Sequence, residues 1–146
     1  MPSISPLLAV DDVGKSMDYY ERVLGFRKGL ALPDESGRIT HGEVHIGDLM
    51  IMLGWAGQTE GPFAAKLAQG GARGVGVLLY LDLGDQDIDR YHEDVKRAGA
   101  NVVVEIADEF WGDRTFMVED GDGYLLTFAQ HVREVDVSEM QAAALH

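Results

Sequence analysis

The sequence predicts an α+β fold in which a strand–helix–three-strand unit, βαβββ, occurs twice. Each half of the chain holds an apolar strand followed by an amphipathic helix. Each half also ends in a hairpin that contains a Gly-Asp pair, Gly47-Asp48 in the first and Gly121-Asp122 in the second. Such internal similarity is typical of a duplicated unit. The 146 residues, 46% of them hydrophobic, suffice for one globular domain or for two small modules sharing one core.

Alternation of apolar and polar residues predicts eight strands. In chain order these are Leu7–Val10, Phe26–Leu32, Arg38–Ile46, Leu49–Leu53, Val77–Leu83, Asn101–Ile106, Thr115–Glu119 and Tyr124–Ala129. Glycine at the first position of the Gly47-Asp48 pair suits a type II′ turn between two of these strands.

Apolar residues at helical spacing predict one long helix in each half. The apolar positions are Met17, Tyr20 and Leu24 in the first helix and Ile88, Tyr91 and Val95 in the second. Asp12 is placed to cap the start of the first helix, and Gly25 suits its left-handed end. The second helix is expected to end at Gly99.

We predict a single domain over residues 1–146. Its parts are module one at about 4–55, a connecting helix and glycine hinge at 56–74, module two at about 75–131 and a C-terminal helical tail at 132–146. Pro62 suits the start of the connecting helix. In the tail, Ser138 and Gln141 have the spacing of a capping box.

Composition and charge exclude several classes of function. A net charge of −13, from 12 Lys+Arg against 25 Asp+Glu, argues against nucleic acid as a partner. The absence of cysteine excludes thiolate nucleophiles, cysteine zinc sites and iron–sulfur clusters. No apolar run approaches the ~20 residues of a membrane helix, and no signal-peptide pattern is found, so we expect a cytoplasmic protein without a membrane partner. The acidic balance indicates a well-solvated surface or a cup that attracts a cationic ligand.

Two segments carry a resemblance to a known family. Residues 6–26, PLLAVDDVGKSMDYYERVLGF, resemble the opening of the vicinal-oxygen-chelate superfamily, which includes glyoxalase I, bleomycin-resistance proteins, fosfomycin-resistance proteins and extradiol dioxygenases. Residues 111–128, WGDRTFMVEDGDGYLLTF, resemble its closing pattern, with Gly121 where proline is usual and Tyr124 where asparagine is usual. The likeness spans roughly Ile4 to His131. It implies two βαβββ modules that form a curved mixed sheet around an open cup, usually completed in a homodimer.

The resemblance also indicates where a metal would be held. The histidine ligands of the superfamily match Ser5 and Leu78, and its carboxylate ligands match Met52 and Thr127. Imidazole and carboxylate are the donors that Zn, Ni, Mn or Fe require at such a site, and none of these four side chains supplies one. We therefore expect a cup without metal or cofactor, and we assign no catalytic residue.

The predicted ligand-binding residues are those that alternation and the resemblance direct into the cup. They are Ser5, Leu7, His41, Glu43, Met52, Trp55, Leu78, Tyr80, Trp111, Arg114 and Thr127. Trp111 can stack on a planar ligand and Arg114 can pair with an anion. The alternatives are that Trp111 belongs to the core and that Arg114 bridges to Glu119 or Asp120.

Two further features have two interpretations each. His41, Glu43 and His45 share one strand face and could bind a displaced metal, although a hydrogen-bonded or wet polar strand is the simpler interpretation. The segment Asp120-Gly-Asp-Gly begins like a calcium loop, but Tyr124 stands at the third ligand position, which favours a tight turn. His92 is expected at the surface of the second helix.

Three functions remain open at this point. The leading hypothesis is a metal-independent protein of the bleomycin-resistance type that binds an aromatic or cationic, antibiotic-like small molecule. The second is a glyoxalase-like lyase, isomerase or dioxygenase that uses a displaced metal site or metal-free acid–base chemistry. The third is an interaction module without a ligand.

Overall fold

The computed structural model describes residues 2–145. Met1 and His146, the ends of the predicted domain and tail, lie outside the described residues. In chain order the elements are β1 (Leu7–Val10), α1 (Val13–Arg22), β2 (Arg27–Pro33), β3 (Ile39–Ile46), β4 (Leu49–Trp55), α2 (Gly61–Ala68), β5 (Leu78–Asp82), α3 (Ile88–Arg97), β6 (Asn101–Asp108), β7 (Asp113–Glu119), β8 (Leu125–His131) and α4 (Val137–Ala144).

The strands form two four-stranded sheets with the same topology. Their orders are β1-β4-β3-β2 and β5-β8-β7-β6. In each sheet the strand before the long helix pairs in parallel with the last strand of its module, and the other neighbours are antiparallel. The α+β class and the two βαβββ modules are therefore confirmed. Each module has its own four-stranded mixed sheet, whereas the sequence predicts a single curved sheet.

The chain divides into two compact units. Unit 1 comprises Met1–Gly76 and Gly121–Tyr124, and unit 2 comprises Val77–Asp120 and Leu125–His146. The turn between β7 and β8 thus belongs to unit 1. There the Ser16 hydroxyl donates to Asp122 at 2.7 Å, and the Tyr124 hydroxyl donates to the carbonyl of Ala9 at 2.7 Å. These two hydrogen bonds hold residues 121–124 against α1 and β1 as a tight turn.

The two long helices begin and end where their capping residues predict. The Asp12 carboxylate accepts from the backbone of Lys15 at 3.0 Å at the start of α1. Asp87 does the same for the first turn of α3. Beyond their C-terminal ends, Gly25 has a φ of 73° and Gly99 a φ of 99°, a left-handed conformation that glycine adopts without strain.

Each sheet packs one face against its own helix. In unit 1, α1 lies on β3 and β4, and Tyr20, Val44 and Leu53 are fully buried there. In unit 2, α3 lies on β7 and β8, and Phe116 and Phe128 are fully buried. The opposite face of each sheet is called the open face below. Because side chains alternate along a strand, the open face collects every second residue.

The hairpin turn of unit 1 agrees with its predicted type, whereas the start of α4 does not agree with its predicted cap. The Gly47-Asp48 turn has a φ of 55° at Gly47 and a φ that is not positive at Asp48, as the predicted type II′ turn requires. The Ser138–Gln141 capping box in the tail is wrong. Asp136 caps α4 by accepting from the backbone of Glu139 at 2.9 Å, and Ser138 donates its own hydroxyl to Asp136. The carboxylate is the stronger acceptor at a helix start.

Among residues 2–145, no helix combines the length and the apolar character that crossing a membrane requires.

Candidate functional site

The open face of unit 1 brings together four of the predicted ligand-binding residues. Leu7 of β1 is paired in register with Met52 of β4, and Met52 is paired with Glu43 of β3. His41 lies one row further along, opposite Gly54. The parallel β1–β4 pairing and the antiparallel β3–β4 pairing thus place these side chains in adjacent rows on one surface. Ser5 precedes β1 and is half-buried.

A cavity of about 560 Å³ lies on this side of unit 1. Its lining consists of Leu7, Thr40, His41, Gly54, Trp55, Gly57, Gln58, Thr59 and Glu60. Leu7 is 40% exposed and supplies an apolar wall, while the segment after β4 supplies polar groups. Cavities of this size with a few polar groups are typical of small-molecule sites. Sequence reasoning missed residues 57–60, because loop conformation has no periodic signal.

Trp55 is the aromatic wall of this cavity, and its indole is held in place. The Arg38 guanidinium lies 4.1 Å from the ring centroid, a cation–π contact. On the benzo edge the chain passes so closely that a Cβ on Gly57 would lie 2.2 Å from Cζ2 of the ring. The indole is therefore fixed by neighbours before any ligand arrives.

The candidate metal triad of β3 does not converge on one point. His41 Nε2 lies 3.5 Å from Glu43 Oε2, so these two side chains pair with each other. The His45 imidazole instead lies over β2, where a Cβ on Gly29 would approach its Nε2 to 2.6 Å. Within residues 2–145, no group of three or more His, Asp or Glu side chains is arranged to hold a metal ion.

The positions that match the superfamily's metal ligands do not fit a metal. Met52 lies on the open face of unit 1, and Leu78 and Thr127 lie on that of unit 2. A thioether, an aliphatic chain and a hydroxyl, with the Ser5 hydroxyl as the fourth group, offer neither charge nor imidazole to a divalent ion. The residues present thus disagree with the metal chemistry that the fold family implies.

The open face of unit 2 carries three of the predicted residues in neighbouring rows. Tyr80 of β5 is paired with Thr127 of β8, and Thr127 is paired with Met117 of β7. Leu78 lies one row away, opposite Leu125. Leu78 and Tyr80 are half exposed, whereas Thr127 is buried.

Beside these residues runs a chain of hydrogen bonds. The Trp111 indole donates to the Tyr80 hydroxyl at 3.0 Å, and that hydroxyl donates to Asp113 at 2.5 Å. The other carboxylate oxygen of Asp113 lies 3.1 Å from Nδ1 of His131, whose Nε2 lies 3.0 Å from Glu134. Trp111 and Tyr80 are thus oriented by their polar ends. The Trp111 ring also packs at right angles to the Phe110 ring, with the centroids 5.0 Å apart, whereas the half-exposed Tyr80 ring remains available for stacking.

The same hydrogen bonds shift the pKa values of the side chains that they join. Burial, and then the hydrogen bond to Asp113, raise the pKa of Tyr80 to about 12. Burial alone would raise the pKa of Asp113, but the hydrogen bonds from Tyr80 and His131 outweigh it and the pKa is lowered. Hydrogen bonds to Glu134 and Asp113 raise the pKa of His131 above its usual 6.5. At neutral pH the face therefore presents a neutral phenol and a carboxylate.

Sequence reasoning missed Asp113 and His131 as members of this group. Alternation along β7 could have identified Asp113, because every second residue of a strand points to the same face and Asp113 is in step with Thr115 and Met117 on the open face. His131 lies opposite Asp113 in the β7–β8 register, which follows only from the pairing.

Arg114 does not lie on the open face of unit 2. Along β7, Arg114 points to the same side of the sheet as Phe116 and Val118, which is the side packed against α3. Its Nε donates to Asp108 at 2.6 Å and its Nη1 to Asp89 at 2.8 Å. The alternative of a bridge to Glu119 or Asp120 is therefore wrong as well.

His92 is buried rather than at the surface, so that prediction is wrong. It is 8% exposed, its ring lies 4.9 Å from that of Phe116, and its Nε2 lies 3.2 Å from Glu105. Positions 88, 92 and 95 fall on one helix face, and this spacing was the available signal.

Comparison with known proteins gives concordant matches. A family model described as Glyoxalase/Bleomycin resistance protein/Dioxygenase superfamily matches residues 4–128. An uncharacterised protein of Mycobacterium bovis is 30% identical over 148 aligned positions, covering 97% of this chain and 91% of that protein. An uncharacterised protein of Mycobacterium tuberculosis strain H37Rv is also 30% identical and covers 97% of this chain, with 82% of that protein aligned.

Solved structures match over most of the chain. TioX from Micromonospora sp. ML1 is 26% identical, with a TM-score of 0.68 over 90% of this chain and 100% of that one. A glyoxalase/bleomycin resistance protein/dioxygenase from Nocardioides is 16% identical, with a TM-score of 0.70 over 94% of this chain and 88% of that one. At that identity the second match supports the fold alone.

Proposed function

The chain belongs to the glyoxalase/bleomycin resistance protein/dioxygenase superfamily, and on that premise we propose that it is a metal-independent binding protein for an aromatic or cationic small molecule, of the bleomycin-resistance type. The observation that carries the proposal is the 560 Å³ cavity of unit 1 with its fixed Trp55 wall. A preformed aromatic wall beside apolar Leu7 suits a planar ligand, since little ordering accompanies its binding.

Charge supports the cationic part of the proposal. Glu60 lines the cavity, and Glu43 lies on the same open face beside His41. Among residues 2–145, the cavity lining contains no arginine or lysine, and the Arg38 guanidinium is engaged with the Trp55 ring. With a net charge of −13, the protein also attracts cations over distance.

The donor set supports the metal-independent part. Ser5, Met52, Leu78 and Thr127 stand at the positions where metal enzymes of the superfamily place their ligands, and none of these side chains binds Zn, Ni, Mn or Fe well. The homodimer and the cytoplasmic location expected from the sequence also belong to this proposal. Light scattering of the purified protein tests the dimer, and a monomeric mass contradicts it.

Titration calorimetry with bleomycin, mitomycin C and proflavine tests the proposed function. We expect at least one of these aromatic compounds to bind the metal-stripped protein, and Trp55→Ala to weaken that binding by about tenfold, because the stacking wall is lost. Val137→Ala, at an exposed position of α4, serves as the matched control and leaves binding unchanged.

Failure of all three compounds to bind the wild type, together with no protection of bleomycin-sensitive bacteria by expression, contradicts the proposal. Stoichiometric Zn, Ni, Mn or Fe in the purified protein, lost in the His41→Ala and Glu43→Ala variants, contradicts its metal-independent part.

The His41–Glu43 pair favours a second candidate, a glyoxalase-like lyase, isomerase or dioxygenase. An imidazole 3.5 Å from a carboxylate beside the cavity has the two groups that acid–base chemistry needs. Turnover of hemithioacetal, epimerisable or catechol substrates, abolished in Glu43→Gln while proflavine binding persists, would establish this alternative.

A further inference from the structure

The hydroxyl of Thr127 is the unexplained polar group of unit 2. Thr127 lies on β8, which is paired with β5 on one side and β7 on the other. The residue is only 6% exposed, and its Oγ1 is the one buried side-chain polar atom without a hydrogen-bond partner among residues 2–145. An unpartnered buried hydroxyl weakens folding, and valine would fill the same space without it. The fold therefore does not explain the hydroxyl.

The side-chain donors of Tyr80 and Trp111 are already engaged. Tyr80, its register neighbour, already donates to Asp113, and the Trp111 indole already donates to Tyr80. Asp82 and Asp113 supply acceptors only. The O–H of Thr127 is thus the donor that this face can still offer to a ligand.

The surroundings also exclude an anion. Across the four strands of this sheet the single arginine or lysine is Arg114, which faces α3 and is held by Asp108 and Asp89. The open face instead carries the Asp82 and Asp113 carboxylates next to apolar and aromatic groups. His131, the remaining basic side chain of this sheet, is already paired with Asp113 and Glu134, so a carboxylate or phosphate ligand would meet repulsion here.

Two side chains flank Thr127 in its row, Tyr80 on β5 and Met117 on β7. Met117 is the register neighbour of Thr127 on β7, and its unbranched thioether chain changes rotamer easily. Tyr80 is held at its hydroxyl and keeps its ring in place beside the same row. A planar ligand lying against the Tyr80 ring would reach Thr127 once Met117 turns aside.

We propose, resting on the binding function above, that Thr127 determines ligand specificity in unit 2. Its hydroxyl donates a hydrogen bond to a carbonyl oxygen of a planar, neutral or cationic aromatic ligand that stacks on Tyr80. The site on the open face of unit 2 thereby takes aromatic compounds that carry a carbonyl or quinone oxygen on the ring system.

Two fluorescent probes and two variants test the assignment. Acridone is planar, neutral and carries a ring carbonyl, whereas proflavine is a planar cation without one. We expect Thr127→Val to weaken acridone binding about tenfold, since one hydrogen bond is lost, and Thr127→Ser to restore it. Proflavine affinity should change less than about twofold in both variants. The melting temperature of Thr127→Val should equal or exceed that of the wild type.

The outcomes separate this inference from the function on which it rests. If the wild type binds acridone and Thr127→Val binds it equally well, the role of Thr127 is overturned while the binding function stands. A lower melting temperature in Thr127→Val with equal loss of both probes identifies a structural role and also overturns it. If neither probe nor bleomycin nor mitomycin C binds the wild type, the binding function itself fails, and the inference with it.

Discussion

Unit 1 and unit 2 repeat one βαβββ scaffold but differ almost entirely on their open faces. Against the helices, both sheets bury large apolar side chains, such as Leu53 in unit 1 and Phe128 in unit 2. On the open face of unit 1, His41 and Glu43 pair at 3.5 Å beside a cavity. On that of unit 2, hydrogen bonds join Tyr80, Asp113 and His131, and the Thr127 hydroxyl is unpartnered. The difference shows that packing against the helix constrains one face of each sheet and leaves the residues of the other face free to vary.

Truncation of side chains on the helix-packed faces should lower the free energy of unfolding more than any other change, and by a similar amount in both units. Leu53→Ala and Phe128→Ala each remove a fully buried side chain. We expect each to lower the free energy of unfolding by about 3 kcal/mol, since transfer and cavity terms add. Urea denaturation followed by circular dichroism measures this loss. A loss below about 1 kcal/mol in one unit would break the equivalence of the two helix-packed faces.

The two hydrogen-bonded tyrosines should differ in their effect on stability. Tyr124→Phe removes the 2.7 Å hydrogen bond to the carbonyl of Ala9 and leaves that carbonyl only the longer contact from Arg73 Nη1 at 3.4 Å, so we expect a loss of about 1 kcal/mol. Tyr80 is 48% exposed, so water can replace its hydroxyl in Tyr80→Phe and the loss should be smaller. Parallel urea denaturation of the two variants tests this order. A reversed order would contradict the docking role assigned to the turn of residues 121–124.

Glycine substitutions should separate the cavity wall from the scaffold of unit 1. In Gly57→Ala the new methyl would overlap the Trp55 ring, so we expect altered tryptophan fluorescence and weaker ligand binding. The matched control is Gly14→Ala in α1, where a Cβ has its nearest contact at 3.5 Å. There we expect a gain of roughly 0.5–1 kcal/mol from helix propensity. Unchanged fluorescence in Gly57→Ala would contradict the fixed indole.

The smallest effect should be a pH dependence confined to unit 2. The pKa of His131 is raised in the folded protein by Glu134 and Asp113. A raised pKa contributes stability fully below the unfolded value of about 6.5, and the contribution is lost as pH rises through the folded value. We therefore expect His131→Gln to reduce the decline in melting temperature between about pH 6 and 8. An NMR titration of the imidazole should give a pKa above 6.5, and a lower value would contradict the ion pairs.

Much of the scaffold could be predicted because it depends on local chemistry. The caps at Asp12 and Gly25, the alternation in β1 and the apolar spacing of α1 each involve neighbours in the chain, and each is confirmed. The error at Ser138 has the same origin, since Asp136 lies two residues earlier and is a better acceptor.

The candidate site was predictable only in part. Leu7, His41, Glu43 and Met52 share a surface because period-two alternation directs them to one face. Arg114 and His92 were misplaced although strand parity and helical spacing carried the information. Their partners, Asp108 for Arg114 and Phe116 for His92, become neighbours only after the sheet has formed.

The sequence by itself determined the family, the α+β class, the duplicated βαβββ unit and the absence of metal donors at four positions, because these depend on residue type and local period. Only the tertiary structure decided that Trp55 is stacked by Arg38, that Asp113 joins Tyr80 to His131, and that the hydroxyl of Thr127 is buried without a partner. Contacts between strands and loops distant in sequence follow from register and side-chain packing. Neither leaves a periodic trace along the chain.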